Sequence, residues 1–84
     1  MKIQIIKNKK LIDFKNWPIW ECPPSTFDWT YKKEEHCFII AGGVTVIGPE
    51  NTVNICAGDY VIFPKNLKCI WKVHSSIKKH YIFK

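Results

Sequence analysis

The sequence predicts an all-β domain, a small antiparallel barrel or sandwich. Short runs rich in Val, Ile, Tyr, Phe and Trp recur along the chain, with turn residues between them roughly every six to ten positions. Phe27, Trp29 and Tyr31 alternate with Asp28, Thr30 and Lys32, the period-two pattern of a strand with one aromatic face. No window sustains apolar residues at i, i+3, i+4 and i+7, so no amphipathic helix is expected.

Lys2–Lys7 reads as a first strand, with Ile3 and Ile5 on one face. Leu11–Asn16 forms a brief extended or single-turn segment. Trp17–Cys22 is an edge strand, because Pro18 cannot donate to a ladder. Pro23 and Pro24 break it into a loop, and the aromatic strand Phe27–Lys32 follows. Glu35–Ala41 is read as a strand ending at Gly42 and Gly43, and Val44–Ile47 as the next. Gly48-Pro49-Glu50-Asn51 reverses the chain, and Thr52–Cys56 pairs back. Tyr60–Phe63 is a strand stopped by Pro64. Asn66 turns the chain, since Asn tolerates the left-handed conformation. Lys68–His74 and Ile77–Phe83 are read as two strands around a Ser75-Ser76 turn. The second of these carries Lys78 and Lys79, which suit a protected sheet edge.

The 84 residues make one domain, 1–84, with little core to spare. Four Trp, three Tyr and five Phe compensate, because aromatics bury much area per residue. Thirteen lysines and no arginine against seven acids give a net charge of +6. Arg is the residue of bidentate phosphate and base contacts, and these lysines are scattered, so no nucleic-acid partner is expected. A small basic barrel binding single strands through aromatics is the alternative from another class. The N-terminal segment alternates polar and apolar residues, unlike a signal peptide, and no stretch is long enough to cross a bilayer. A cytoplasmic location with no membrane partner is therefore expected. Cys22, Cys37, Cys56 and Cys69 are then expected to be reduced, and they contain no C-x-x-C pair.

Two stretches carry a family resemblance. Trp29-x-Tyr31, three residues, Glu35, six residues and Gly42 fit the spacing of the first cupin signature. Gly58, five residues, Pro64, Asn66 and Cys69 fit the second. The chain thus resembles a cupin, a small antiparallel β-barrel of the RmlC-like jelly-roll type whose pocket often holds a metal. The segments at Trp17–Glu21, Phe27–Tyr31, Gly58–Pro64, Cys69–Val73 and Ile77–Tyr81 are similar to a group of compact single-domain cupins of unassigned function. That likeness spans roughly residues 15–83. The group is distantly similar to the cupin domains of ureidoglycine aminohydrolase, a manganese enzyme.

The resemblance implies metal ligands at Trp29, Tyr31, Glu35 and Cys69, of which Glu35 alone keeps the family's ligand type. Asn66 stands where the family has Gly, and Val73 where it has Asn. Indole has no lone pair to offer, so no cofactor is predicted. A metal site would have to be rebuilt from Glu35 with Tyr31 as phenolate and Cys69 as thiolate. By alternation His36 faces away from Glu35, and His74 away from Cys69. The register of His80 is open.

The expected site is a small-molecule pocket centred on Glu35. Trp29, Tyr31, Cys37, Trp71 and Lys79 are its ligand-binding wall, and Cys69 is a second catalytic candidate. A carboxylate in aromatic surroundings loses water, which raises its pKa and suits it to acid–base work. The competing expectation pairs Glu35 with Lys79 and gives it no chemistry. A metal-dependent reaction on a small polar metabolite is the other enzymatic alternative. Trp17 and Trp20 are assigned to the core or rim. Lys2–Lys7 is suited to extend a neighbour's sheet, so a homodimer is expected.

Overall fold

The computed structural model describes all residues, Met1–Lys84. Seven strands form in chain order: β1 (Gln4–Ile6), β2 (Ile19–Cys22), β3 (Ser25–Thr30), β4 (Glu35–Ile47), β5 (Thr52–Cys56), β6 (Tyr60–Phe63) and β7 (Lys68–Phe83). One 3-10 turn, Leu11–Asp13, lies between β1 and β2. No helix is long and apolar enough to cross a membrane.

All pairing is antiparallel and centres on the two long strands. β4 and β7 pair along their lengths, from Glu35 opposite Phe83 to Ile47 opposite Ile70. On its other side β4 pairs β6 over Glu35–Phe38 and β5 over Gly43–Ile47. β7 in turn pairs β2 over Ile77–His80 and β3 over Lys68–Val73. β1 adds outside β6.

The expected closed barrel of jelly-roll type is not what forms. The hydrogen-bonded path runs β1-β6-β4-β7-β2, and nothing pairs β1 with β2 or β5 with β3. The sheet is open, with free edges. The reason lies in the two places read as strand ends. β4 passes through Gly42 and Gly43, and β7 passes through Ser75 and Ser76, without breaking. Register shifts between Ile39 and Val44 mark bulges, which bend a strand while keeping it paired. Four expected short strands are therefore two long ones, and the shorter strands attach to either flank of this central pair. Ile77–Phe83 is accordingly interior, and its lysines protect no edge.

Other local readings match. Pro18 stands just before β2. Asn66 has φ 72. Its N–H donates to the Tyr31 carbonyl at 2.7 Å, and the Tyr31 N–H donates to Leu67 O at 2.9 Å. The turn after β6 thereby fixes Tyr31. Asn51 clasps Ile3 through both backbone groups, each at 3.0 Å, and seats the start of the chain beside the 48–51 turn.

One face of the sheet packs a fourteen-residue core that includes Cys37, Ile39, Val46, Val61, Phe63, Leu67, Trp71 and Ile77. The opposite face carries a smaller cluster of Phe14, Phe38 and Tyr60, with Trp17 against it. All four cysteines are free thiols.

Candidate functional site

Glu35 opens β4, between Phe63 of β6 and Phe83 of β7. Its side chain is 2% exposed. Lys79 lies on β7, directly opposite Trp20 of β2. Its Nζ donates to Glu35 Oε2 at 2.7 Å. The ammonium also sits 4.6 Å from the Trp71 ring centroid and 4.8 Å from that of Trp20. Both distances lie within cation–π range. Glu35 Oε1 and Trp71 Nε1 are buried and have no hydrogen-bond partner.

These groups border a cavity of about 180 Å³. Trp20, Phe27, Trp29, Tyr31, Trp71, Tyr81 and Phe83 supply its aromatic wall, and Glu35 and Lys79 its only charged groups. Phe27 and Trp71 stack with centroids 6.1 Å apart. Tyr31 stacks on Phe63 at 5.0 Å. Trp29, about half exposed, and Phe83 stand among the wall residues most open to solvent.

Of the residues singled out from the sequence, Trp29, Tyr31, Glu35, Trp71 and Lys79 meet at this cavity. Cys37 and Cys69 are buried in the core and do not line it. Burial pushes the Cys37 thiol up to about 12. Burial likewise pushes Cys69 up to about 11, with the Glu35 charge adding to it. Its Sγ–H donates to the Trp29 carbonyl at 3.6 Å. Neither is a thiolate at neutral pH, and only thiolates react fast. Titration with a thiol reagent at pH 7.5 is therefore expected to modify exposed Cys56 and partly exposed Cys22 quickly. Cys37 and Cys69 should react only on unfolding. Rapid labelling of Cys69 in the folded protein would contradict this account.

The histidines lie elsewhere. His36 contacts the Tyr60 hydroxyl at 2.5 Å and Glu34 at 2.6 Å. His74 contacts Thr45 Oγ1 on the exposed face. His80 is buried, its Nδ1 2.9 Å from the Trp17 carbonyl oxygen.

Four wall residues escaped the sequence reading: Trp20, Phe27, Tyr81 and Phe83. Three had a signal in alternation. Phe27 is two residues before Trp29, and Tyr81 and Phe83 follow Lys79 at period two. Trp20 had none, because its place depends on the β2–β7 register.

The residues do not fit a metal. No three His, Cys, Asp or Glu side chains approach closely enough to hold one. Trp29 offers no lone pair, and Glu35 is engaged by an ammonium. Burial first, and then the Glu35 charge, raise the Tyr31 phenol well above its usual range, so it stays a protonated donor.

The sequence matches the EutQ-like cupin domain over residues 10–81. The chain belongs to the EutQ-like cupin family. A DUF861-family protein of Thermotoga maritima is 39% identical, with 99% of this chain and 100% of that one covered and a TM-score of 0.92. A putative ethanolamine utilization protein Q of Salmonella typhimurium is 22% identical, covering 77% of this chain and 53% of its own, at TM-score 0.70. The Clostridium difficile EutQ protein is also 22% identical, covering 94% of this chain and 64% of its own, at TM-score 0.69. At that identity the last two show the fold alone, and this cupin spans only about half to two-thirds of their lengths. A search of curated proteins gave no match. In this cupin the buried carboxylate of Glu35 has a lysine, Lys79, set beside it.

Proposed function

We propose that this cupin binds a small metabolite in the aromatic cavity, with Glu35 as the polar centre and metal-independent acid–base chemistry as its mode of action. The observation that carries the reading is Glu35 Oε1. It belongs to a buried carboxylate at an aromatic-walled cavity and has no donor within hydrogen-bonding distance, although the protonated Tyr31 hydroxyl of the same wall interacts with the carboxylate. Leaving a buried acceptor unpaired costs about 1–3 kcal/mol. A ligand N–H or O–H directed at it relieves that cost and is held where a proton can pass to the carboxylate. Lys79 keeps Oε2 fixed, so the two oxygens have separate tasks. The cavity is smaller than the roughly 300–1,000 Å³ of drug-sized sites, which favours a compact ligand.

A thermal-shift screen of small planar and polar metabolites tests the proposal, run on wild type, Glu35→Gln and Trp29→Ala. Trp29 is half exposed, so its truncation spares the core. A ligand at one hundred times its Kd adds about 2.7 kcal/mol. For a domain of this length that raises Tm by roughly 10–20 °C. The shift should vanish in Glu35→Gln and shrink in Trp29→Ala. A ligand whose shift survives both variants binds elsewhere and would sink the reading.

A further inference from the structure

Lysine is almost never fully buried unless paired, yet Lys79 is only 5% exposed. Its surroundings match what a primary ammonium needs. One N–H meets Glu35 Oε2 at 2.7 Å. Two indole faces, the strongest π partners among side chains, take the rest of the charge at 4.6 and 4.8 Å. Lys9 over Tyr60, at 5.5 Å and exposed, has one ring and no carboxylate.

The surroundings are also braced. Trp71 is stacked on Phe27 and met edge-on by Trp20 at 5.9 Å. The parts come from three separate strands. Trp20 is brought in by the β2–β7 register, and Glu35 by the start of β4. Trp71 and Lys79 lie on either side of Ser75 and Ser76 on β7.

We infer that Trp20, Trp71 and Glu35 form a binding cage for a primary ammonium, which Lys79 fills from within the chain as the pocket's fixed cation. With the cage full, the wild-type protein refuses a second cation there, organic or metallic. Whatever enters the cavity is neutral or anionic. The inference stands even if no metabolite binds, so its failure and that of the proposed function are separate events.

Vacating the cage tests it. Lys79→Ala removes three methylenes and the ammonium, a gap the size of n-propylammonium. Thermal unfolding is followed in n-propylammonium chloride and in KCl at equal ionic strength, with Mn²⁺ tested separately. The expected result is a Tm rise of at least about 5 °C for Lys79→Ala in n-propylammonium over KCl. Wild type should show no such rise, and none with Mn²⁺. The rise should disappear in Lys79→Ala/Glu35→Gln and fall by half or more in Lys79→Ala/Trp20→Leu.

The inference is overturned by any of three results. The first is no rise in Lys79→Ala, or a rise that survives loss of Glu35 and Trp20. The second is an equal rise in wild type. The third is stabilisation of wild type by Mn²⁺ that Glu35→Gln removes. Should Lys79→Ala fail to fold in KCl, folding in n-propylammonium supports the cage. If it folds in neither, proton NMR of the wild type decides. Two indole faces must move the Lys79 ε-methylene signals upfield of the other lysines, and Trp20→Leu must reduce that shift. Lys79 signals at the ordinary lysine position overturn the inference.

Discussion

Lys79→Met is expected to destabilise the protein by about 3–5 kcal/mol, the usual result of removing one partner from a buried ion pair. For a domain of this size the loss lowers Tm by at least roughly 12 °C. Methionine fills much the same space and packs well on indole, so little of the effect is lost volume. What remains is a carboxylate 2% exposed that has lost its ammonium and keeps only the neutral Tyr31 hydroxyl beside it. The second half of the prediction removes that charge as well. Lys79→Met/Glu35→Gln should recover most of the loss, because replacing a buried pair entirely is often close to neutral. Urea unfolding of the two single variants and the double variant gives the coupling directly. A Lys79→Met protein within about 1 kcal/mol of wild type would mean that the pair is solvated and the site has been misjudged.

Gly42→Ala is expected to be at least as damaging, for a backbone reason. Gly42 has φ +90, in the region that favours glycine. A Cβ there would lie 2.1 Å from the Ser76 carbonyl oxygen and 2.8 Å from Ile77 Cα. Both obstacles are backbone of the partner strand, so relief requires β4 and β7 to separate at the bulge. Gly58 is the control. Its φ is +94, but a Cβ there meets nothing within 4 Å. Gly58→Ala therefore carries backbone strain alone, about 1–3 kcal/mol. Gly42→Ala adds the clash, and should exceed Gly58→Ala by more than about 2 kcal/mol or fail to fold. Equal stabilities of the two variants would show that the bulge yields.

Strand chemistry was readable wherever the cue was local. The alternation of Phe27, Trp29 and Tyr31, the break at Pro18 and the left-handed Asn66 each depend on a few neighbours. The closed barrel was misjudged at Gly42-Gly43 and Ser75-Ser76. Those pairs look like turns because turn preference is a local property. Opposite one another, as Gly43 and Ser75 are, they are absorbed as bulges in a continuous ladder. The site followed the same division. Glu35, Tyr31 and Trp29 came from the resemblance to the first cupin signature, and Trp71 from lying beside Cys69, which matches the second. The Glu35–Lys79 bond joins residues 44 apart. Nothing local to either residue decides it. Trp20, expected in the core or at the rim, reaches Lys79 only through the β2–β7 register.

The position of β7 in the sheet also bears on how the protein is made. β2, β3 and β4 all take partners from residues 68–83, although they are synthesised earlier. Each of those pairings closes a long loop, and the entropy of closure must be met before the contacts reward it. Until residues 68–83 leave the ribosome, the earlier strands have only the β4–β5, β4–β6 and β1–β6 ladders available. Trp20, Phe27 and Trp29 then wait without the strand that later lies beside them. The pairings of β2, β3 and β4 with β7 therefore cannot be completed until residues 68–83 have been synthesised.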